Sequence, residues 1–253
     1  SLACDDPTLP TDSSNLVVAA APALADTLGR RGEGSTGRRE RVSAFLTQSI
    51  PAGAGLAGGS SDAASAILAL ASLWKLNWSI DQLAKFAAGL GSDLPFFFHG
   101  PSSICTGRGE IVRPIAKPTP TYAVLVLPDI TMPTPLVYRT FDEMKLGSMR
   151  TIDDEPDFRA WAHLPADDLL PRLANDLEAP AFAIEPKLAE LRSALAGRWN
   201  KVVRMSGSGS SLFTLTSDAD EAEQLAKIAG EYFHVRAIAV RLAPALNMFK
   251  DRQ

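Results

Sequence analysis

The stretch Ile50-Pro51-Ala52-Gly53-Ala54-Gly55-Leu56-Ala57-Gly58-Gly59-Ser60-Ser61-Asp62 packs four glycines into seven residues, follows them with two hydroxyls, and leads into an alanine-rich run. Glycine admits φ > 0 and lets backbone N–H groups approach a ligand with no Cβ in the way. The run from Ala63 to Ala71 favours helix. A glycine loop feeding a helix start is an anion site, because unpaired N–H groups and the positive end of the dipole point the same way. Residues 51–61 are therefore expected to cradle a phosphate group. Ser60 and Ser61 can donate to phosphate oxygens or ligate Mg²⁺. The plainer alternative is that they only cap the helix.

Other phosphate loops fit less well. Gly53-x-Gly55-x-x-Gly58 matches the dinucleotide fingerprint formally, but that pattern needs a second strand ending in an acidic residue about 20 positions on. Here Ile80, Leu83, Ala84 and Ala87 follow at helical spacing, with Ser79 placed to cap them. A Walker loop needs Gly-Lys-Ser/Thr, which the sequence lacks. A flexible glycine linker would not run straight into a strong helix.

Phosphoryl transfer asks for a cradle, positive charge on the moving group and an oriented attacking oxygen. For the last of these the residue that stands out is Asp93, in Gly91-Ser92-Asp93-Leu94-Pro95-Phe96-Phe97. A carboxylate between a Gly-Ser turn and an apolar run is expected beside apolar surface, able to accept a hydroxyl proton or to orient the hydroxyl. An ordinary helix-capping or turn aspartate is the alternative. A second glycine turn, Met205-Ser206-Gly207-Ser208-Gly209-Ser210, reads as a hairpin between strands. It lacks the Gly-x-Ser-x-Gly spacing of a hydrolase elbow. His99, His163 and His234 are scattered without zinc spacing. Phe96-Phe97-Phe98 reads as core, with packing on a base as the alternative.

Several elements must position these groups. A helix is expected over 15–28, ended by Gly29, then a glycine-rich loop over 30–41 with five arginines, read as a solvated surface or as a rim attracting phosphates. A strand over 42–50 would deliver the chain to the cradle. Helices follow at about 60–76 and 79–88. Strands are expected at 102–106, 110–115 and 122–127, the last a continuous apolar run of buried type. The second half alternates: helix 134–143, polar loop 147–156, helices 175–184 and 186–195, strands 201–205 and 211–216, a helix over 218–229 capped by Asp218, and a strand over 235–242. Pro114, Pro118 and Pro120 mark the junction, giving domains 1–118 and 119–253.

The chain is 253 residues long, 46% apolar, with a net charge of −4. That is enough to bury a sizeable core, and it supplies no general drive toward nucleic acid or an anionic membrane. Cys4 and Cys105 form no disulfide framework, so reduced thiols are expected. No apolar run reaches spanning length and no signal peptide is visible, which points to cytoplasm or plastid stroma. A monomer or a homodimer is expected.

Pro51-x-x-x-Gly55-Leu56-x-x-x-Ser60-Ser61 resembles the phosphate motif of the GHMP kinase superfamily of small-molecule kinases. Gly58–Ala64, Gly91–Phe97 and Met205–Ser210 extend the match, as do Asn15-Leu16-Val17, Gly107-x-Gly109-Glu110 and Asn175-Asp176-Leu177-Glu178, in the same order along the chain. The resemblance implies an α+β, two-domain fold with the active site in the cleft between domains. It implies ATP and Mg²⁺ as cofactors, and a small alcohol substrate carrying a cytidine diphosphate group. Pro51, Ala52, Gly53, Ala54, Gly55, Leu56, Ala57, Gly58, Gly59, Ser60 and Ser61 would hold ATP. Asp93 would be the catalytic aspartate. Ser206, Gly207, Ser208 and Gly209 would close the cleft. Other GHMP kinases acting on a sugar or a mevalonate-type alcohol, and a non-catalytic nucleotide-binding protein, stand as alternatives.

The sequence departs from the pattern at its start. The resemblance implies an opening Lys-Ile-Asn type motif, whose lysine works with the aspartate, and an Asp-Gly-Tyr-His segment that helps hold the cytosine end. Neither is present, and Thr47-Gln48-Ser49 stand where relatives often carry a basic residue. The sequence is thus expected to begin inside the family pattern, without its first strands, and to be weak or inactive by itself.

Overall fold

A computed structural model describes residues 1–31, 41–147 and 156–242. Their contacts divide the chain into two compact units. One comprises Ser1–Ala52 and Ala57–Pro114; the other comprises Gly53–Leu56 and the chain from Ile115 through residue 242. The four loop residues thus cluster with the second unit although the first surrounds them in sequence.

In the first unit, β1 (Leu2–Cys4) pairs in parallel with β2 (Ala44–Leu46), Leu2 opposite Ala44 and Cys4 opposite Leu46. Helix α1 (Leu16–Arg31) starts where the Asn15 side-chain oxygen accepts a hydrogen bond from the Val17 amide at 3.0 Å. It packs with α2 (Gly58–Leu73) and α3 (Ile80–Ala87) through Leu24, Ile67 and the fully buried alanines 20, 63, 64 and 87. Alanines let the helices approach closely, and each fully buried Leu or Ile contributes about 1.5–3 kcal/mol. Ser79 opens α3 with a capping box: its hydroxyl accepts from the Gln82 amide and the Gln82 side chain accepts from the Ser79 amide. The one-turn helix α4 (Phe96–His99) precedes an antiparallel hairpin of β3 (Ser103–Thr106) and β4 (Ile111–Pro114). Phe98 is buried and Phe97 packs against the same core, while the half-buried Phe96 stands edge-on to Phe97 with ring centroids 5.3 Å apart.

The second unit is built on a four-stranded antiparallel sheet. It contains β5 (Tyr122–Leu127), β6 (Arg204–Met205), β7 (Leu212–Thr216) and β8 (Arg236–Arg241), in the spatial order β6-β7-β5-β8. Both β7 and β8 run against β5, which lies between them. They are therefore parallel to each other, and the helix that joins them makes a split β-α-β crossover over β5. Around this sheet lie α5 (Thr134–Glu143), α6 (Phe158–Trp161), α7 (Ala166–Leu169) with a following 3₁₀ turn, α8 (Glu178–Ile184), α9 (Pro186–Trp199) and the crossover helix α10 (Ala219–Phe233). Asp218 caps α10, accepting from the Glu221 amide at 2.7 Å. Val124, Val126, Leu188, Leu195 and Leu212 fill the core between sheet and helices.

The structure corrects several expectations. Helix α1 runs through Gly29, which keeps a helical backbone rather than the left-handed one of a terminating glycine. The expected strand over 42–50 shrinks to three residues, because the Gln48 amide turns to the Asp5 carboxylate at 2.9 Å and the Gln48 side chain to the Ile50 carbonyl. Helix α2 begins at Gly58, two residues earlier than expected. Its cap is Ala57 in a left-handed conformation, with φ 51° and no side-chain bond, so neither Ser60 nor Ser61 is the cap. Residues 201–203 leave the sheet: Asn200 ends α9 in the left-handed region, and the Lys201 amide bonds back to Ala196. The Lys201 ammonium then meets Glu221 at 2.9 Å and Asp167 at 3.2 Å. Helix α8 starts at Glu178 rather than at Asn175. The arginine-rich loop is mostly outside the described residues, as is most of the polar loop over 147–156. Among the described residues no helix is long and apolar enough to cross a membrane.

Candidate active site

Two glycine segments that are about 150 residues apart in sequence meet within the second unit. Gly53 and Gly55 have φ of 67° and 71°. The Ser206 hydroxyl donates to the Gly55 carbonyl at 2.9 Å, and the Ser211 amide donates to the Ala54 carbonyl at 3.1 Å. The turn 206–211 closes on itself through Ser206 N–H to the Ser211 carbonyl at 2.9 Å and Gly209 N–H to the Ser206 carbonyl at 3.0 Å. The fit leaves no room for side chains: a Cβ on Gly55 would stand 2.2 Å from the Ser206 carbonyl oxygen, and one on Gly207 would stand 2.9 Å from that of Gly55. Ala54, between the two glycines, is buried. Ser208 meets Thr134, hydroxyl to hydroxyl, at 2.8 Å.

Helix α2 presents an uncapped N-terminus. Its first turn has no acidic residue and its cap makes no side-chain bond. The Ser61 amide is the first to bond back, to the Ala57 carbonyl at 3.0 Å. The amides of Gly58, Gly59 and Ser60 are thus the ones that helix geometry leaves without an intrahelical partner. Gly59 faces open space, with no atom within 4 Å of where a Cβ would stand. Such a start favours a bound anion through both its N–H groups and the helix dipole. Asp62, half-buried one turn further on, has its pKa raised by burial.

Asp93 lies in the turn that leads into α4. The Leu94 amide bonds back to the Gly91 carbonyl at 3.3 Å, and Leu94 and Pro95 are buried behind it. The carboxylate itself is exposed, not set against apolar surface as the flanking sequence led us to expect. Ser92 Oγ lies 3.5 Å from its Oδ1, and the hairpin turn at Gly109 comes close enough that a Cβ there would stand 3.6 Å from the same oxygen. Glu110 shapes that hairpin by accepting from the Arg108 amide at 2.7 Å.

Cys105, on β3, reports on Asp93. Partial burial raises the pKa of its thiol, and the charge of Asp93 raises it further. A raised thiol pKa means less reactive thiolate at a given pH. In a Cys4→Ser background, Asp93→Asn should therefore speed alkylation of Cys105 by iodoacetamide near pH 8 and move the pH–rate midpoint downward. An unchanged midpoint would show that the carboxylate does not face the thiol.

Among the described residues no group of three or more His, Cys, Asp or Glu is placed to hold a metal ion. Ser60 and Ser61, which do not cap α2, carry hydroxyls on its first turn that could ligate a cation. Mg²⁺ suits such a sparse set, since it keeps several waters and takes its other ligands from phosphate oxygens.

The mixed fold, with a glycine loop leading to an uncapped helix, has a known class. The family model described as GHMP kinases N terminal domain matches residues 13–101, and that described as GHMP kinases C terminal matches residues 154–235. A solved homoserine kinase from Cytophaga hutchinsonii shares the fold, with a TM-score of 0.71 at 15% identity over 97% of this chain and 83% of that one. A solved 4-(cytidine 5'-diphospho)-2C-methyl-D-erythritol kinase superposes with a TM-score of 0.69 at 33% identity, covering 95% of this chain and 81% of that one. The 4-diphosphocytidyl-2-C-methyl-D-erythritol kinase of Salinispora tropica is 39% identical over 236 residues, which are 86% of this chain and 68% of that protein. The enzyme of the same name from Prochlorococcus marinus strain MIT 9303 is 40% identical over 243 residues, 90% of this chain and 72% of the relative. The chain belongs to the 4-diphosphocytidyl-2-C-methyl-D-erythritol kinases of the GHMP kinase family, and it is a small-molecule kinase.

Proposed function

We propose that the enzyme transfers the γ-phosphoryl group of ATP to the 2-hydroxyl of 4-diphosphocytidyl-2-C-methyl-D-erythritol, a step in making isoprenoid precursors in the bacterial cytoplasm. The observation that carries the reading is the uncapped start of α2 directly after a glycine loop whose shape the turn 206–211 dictates. Amides from Gly53 through Ser60 hold the ATP phosphates. Ser60 and Ser61 supply hydroxyls to Mg²⁺, which when bound neutralises charge on the phosphate oxygens. Asp93 accepts the proton of the attacking hydroxyl as its oxygen bonds to the γ-phosphorus and the bond to the β-phosphate oxygen breaks, releasing ADP. Catalysis of this kind is mostly positioning and electrostatics, which suits a site made of fixed backbone amides.

ADP release by the full-length protein, measured with a panel of alcohols, tests the reading. Release with the cytidine diphosphate alcohol, and none with homoserine or mevalonate, is expected. Turnover of either of the latter in its place would overturn the substrate assignment.

A further inference from the structure

The turn 206–211 is itself held from below by the Asn-Asp-Leu-Glu segment. Asn175 uses every polar atom of its side chain. Its Oδ1 accepts from the Leu177 amide at 3.0 Å, which fixes the sense of the side-chain amide. Its Nδ2 then donates to the Met205 carbonyl at 3.0 Å and to the Gly207 carbonyl at 2.8 Å. Glu178, three residues on, accepts from the Met205 amide at 2.8 Å. Arg204 faces the other Glu178 oxygen at 4.0 Å and donates to the Leu170 and Pro171 carbonyls. The two side chains therefore grip both ends of residues 205–207, and Ser206 between them donates to Gly55.

We propose that Asn175 and Glu178 are positioning residues for the nucleotide, acting through the turn 206–211 on the carbonyl of Gly55. The inference rests on the assignment of residues 53–61 to the ATP phosphates. Its physical basis is that donors fixed in advance bind and stabilise charge, whereas a loop free to shift must be ordered each time ligand arrives. Loss of the Asn175 amide leaves the Met205 and Gly207 carbonyls without that donor and frees Gly207, whose position against Gly55 allows no slack. The consequence should appear in ATP affinity rather than in alcohol affinity. A brace that served only the sheet would lower stability and leave both Michaelis constants alone.

The experiment compares Asn175→Ala, Ser206→Ala and Lys201→Met in the full-length protein, reading KM for ATP, Kd for ADP, KM for the alcohol and Tm. Lys201→Met removes the ion pairs with Asp167 and Glu221 and calibrates plain destabilisation. Asn175→Ala should raise KM for ATP and Kd for ADP about tenfold or more, with the alcohol KM within about twofold. Ser206→Ala, which keeps the brace but cuts its link to Gly55, should raise KM for ATP severalfold and remain informative if Asn175→Ala fails to fold. In the double variant the two losses should be less than additive, because they act in series. An ATP KM unchanged in Ser206→Ala, or an Asn175→Ala protein that loses Tm as Lys201→Met does while binding ATP normally, overturns the inference. Gly55→Ala separates the two levels. If that change leaves nucleotide binding intact, the site assignment itself fails; if it abolishes binding while the other two variants are silent, only the brace is wrong.

Discussion

Gly55→Ala should raise KM for ATP by about a hundredfold or more, because a misplacement on the order of 1 Å commonly costs that much. At φ of 71° an L-residue already pays about 1–2 kcal/mol. The larger problem is space. The new Cβ would lie 2.2 Å from the Ser206 carbonyl oxygen and 2.9 and 3.0 Å from the Gly209 oxygen and nitrogen. All three are backbone atoms, so no rotamer change relieves the contact and the loop or the turn must move. Gly207→Ala makes the same lesion from the opposite side, against the Gly55 carbonyl, and should produce the same phenotype. Gly59→Ala is the contrasting case. Its Cβ meets open space, and replacing a glycine in a helix stabilises by about 0.5–1 kcal/mol. It should raise Tm yet weaken ATP binding, since on the proposed reading the methyl group occupies room beside an amide that faces phosphate. Normal ATP affinity in Gly55→Ala, measured by ADP titration alongside kinetics, would sink this reading of the loop.

Much of this arrangement is legible in the sequence, and what is not has physical causes. Strand 122–127 and helix 134–143 can be read to the residue, because a continuous β-type run and a proline-led amphipathic segment are strong local signals with clear ends. Ser79 and Asp218 announce their helices by cap chemistry alone. The parallel pair β1–β2 is three residues long on each side and 42 residues apart in register, too short to show a period. The helices at 158–161 and 166–169 are single turns, below the length at which helical spacing separates from chance. Gly58 and Gly59 read as loop by propensity. They are helical because the buried stripe of Ala63, Ala64 and Ile67 carries the helix back to them. In the site, glycine spacing signals positive φ at 53 and 55, but nothing local says which backbone will press against Gly55. That partner lies 151 residues away. The same distance problem hides Asn175, whose side chain serves carbonyls 30 and 32 residues on. The only local hint is an Asx residue just outside a helix that it does not join.

Asp93→Asn should lower kcat by about 10²–10⁴, the range over which a positioned acid or base acts, while KM for ATP and Tm stay close to wild type. The structural side of this expectation rests on exposure. The carboxylate projects from a turn whose fixed points are Leu94 and Pro95, both buried, and the Gly91–Leu94 backbone bond. Its contact with the Ser92 hydroxyl is long, at 3.5 Å. Surface changes of this kind usually move stability by no more than about 0.5 kcal/mol, so a loss of turnover would not be a loss of fold. Asparagine keeps an oxygen able to accept a hydrogen bond from the attacking hydroxyl but cannot take its proton. Comparison with Asp93→Ala therefore separates orientation from proton transfer. If Asp93 removes the proton, both variants should fall together; if it only orients the hydroxyl, asparagine should retain much of the rate that alanine loses. A kcat within about twofold of wild type in both variants would place the reacting hydroxyl elsewhere and return Asp93 to the role of an ordinary turn residue.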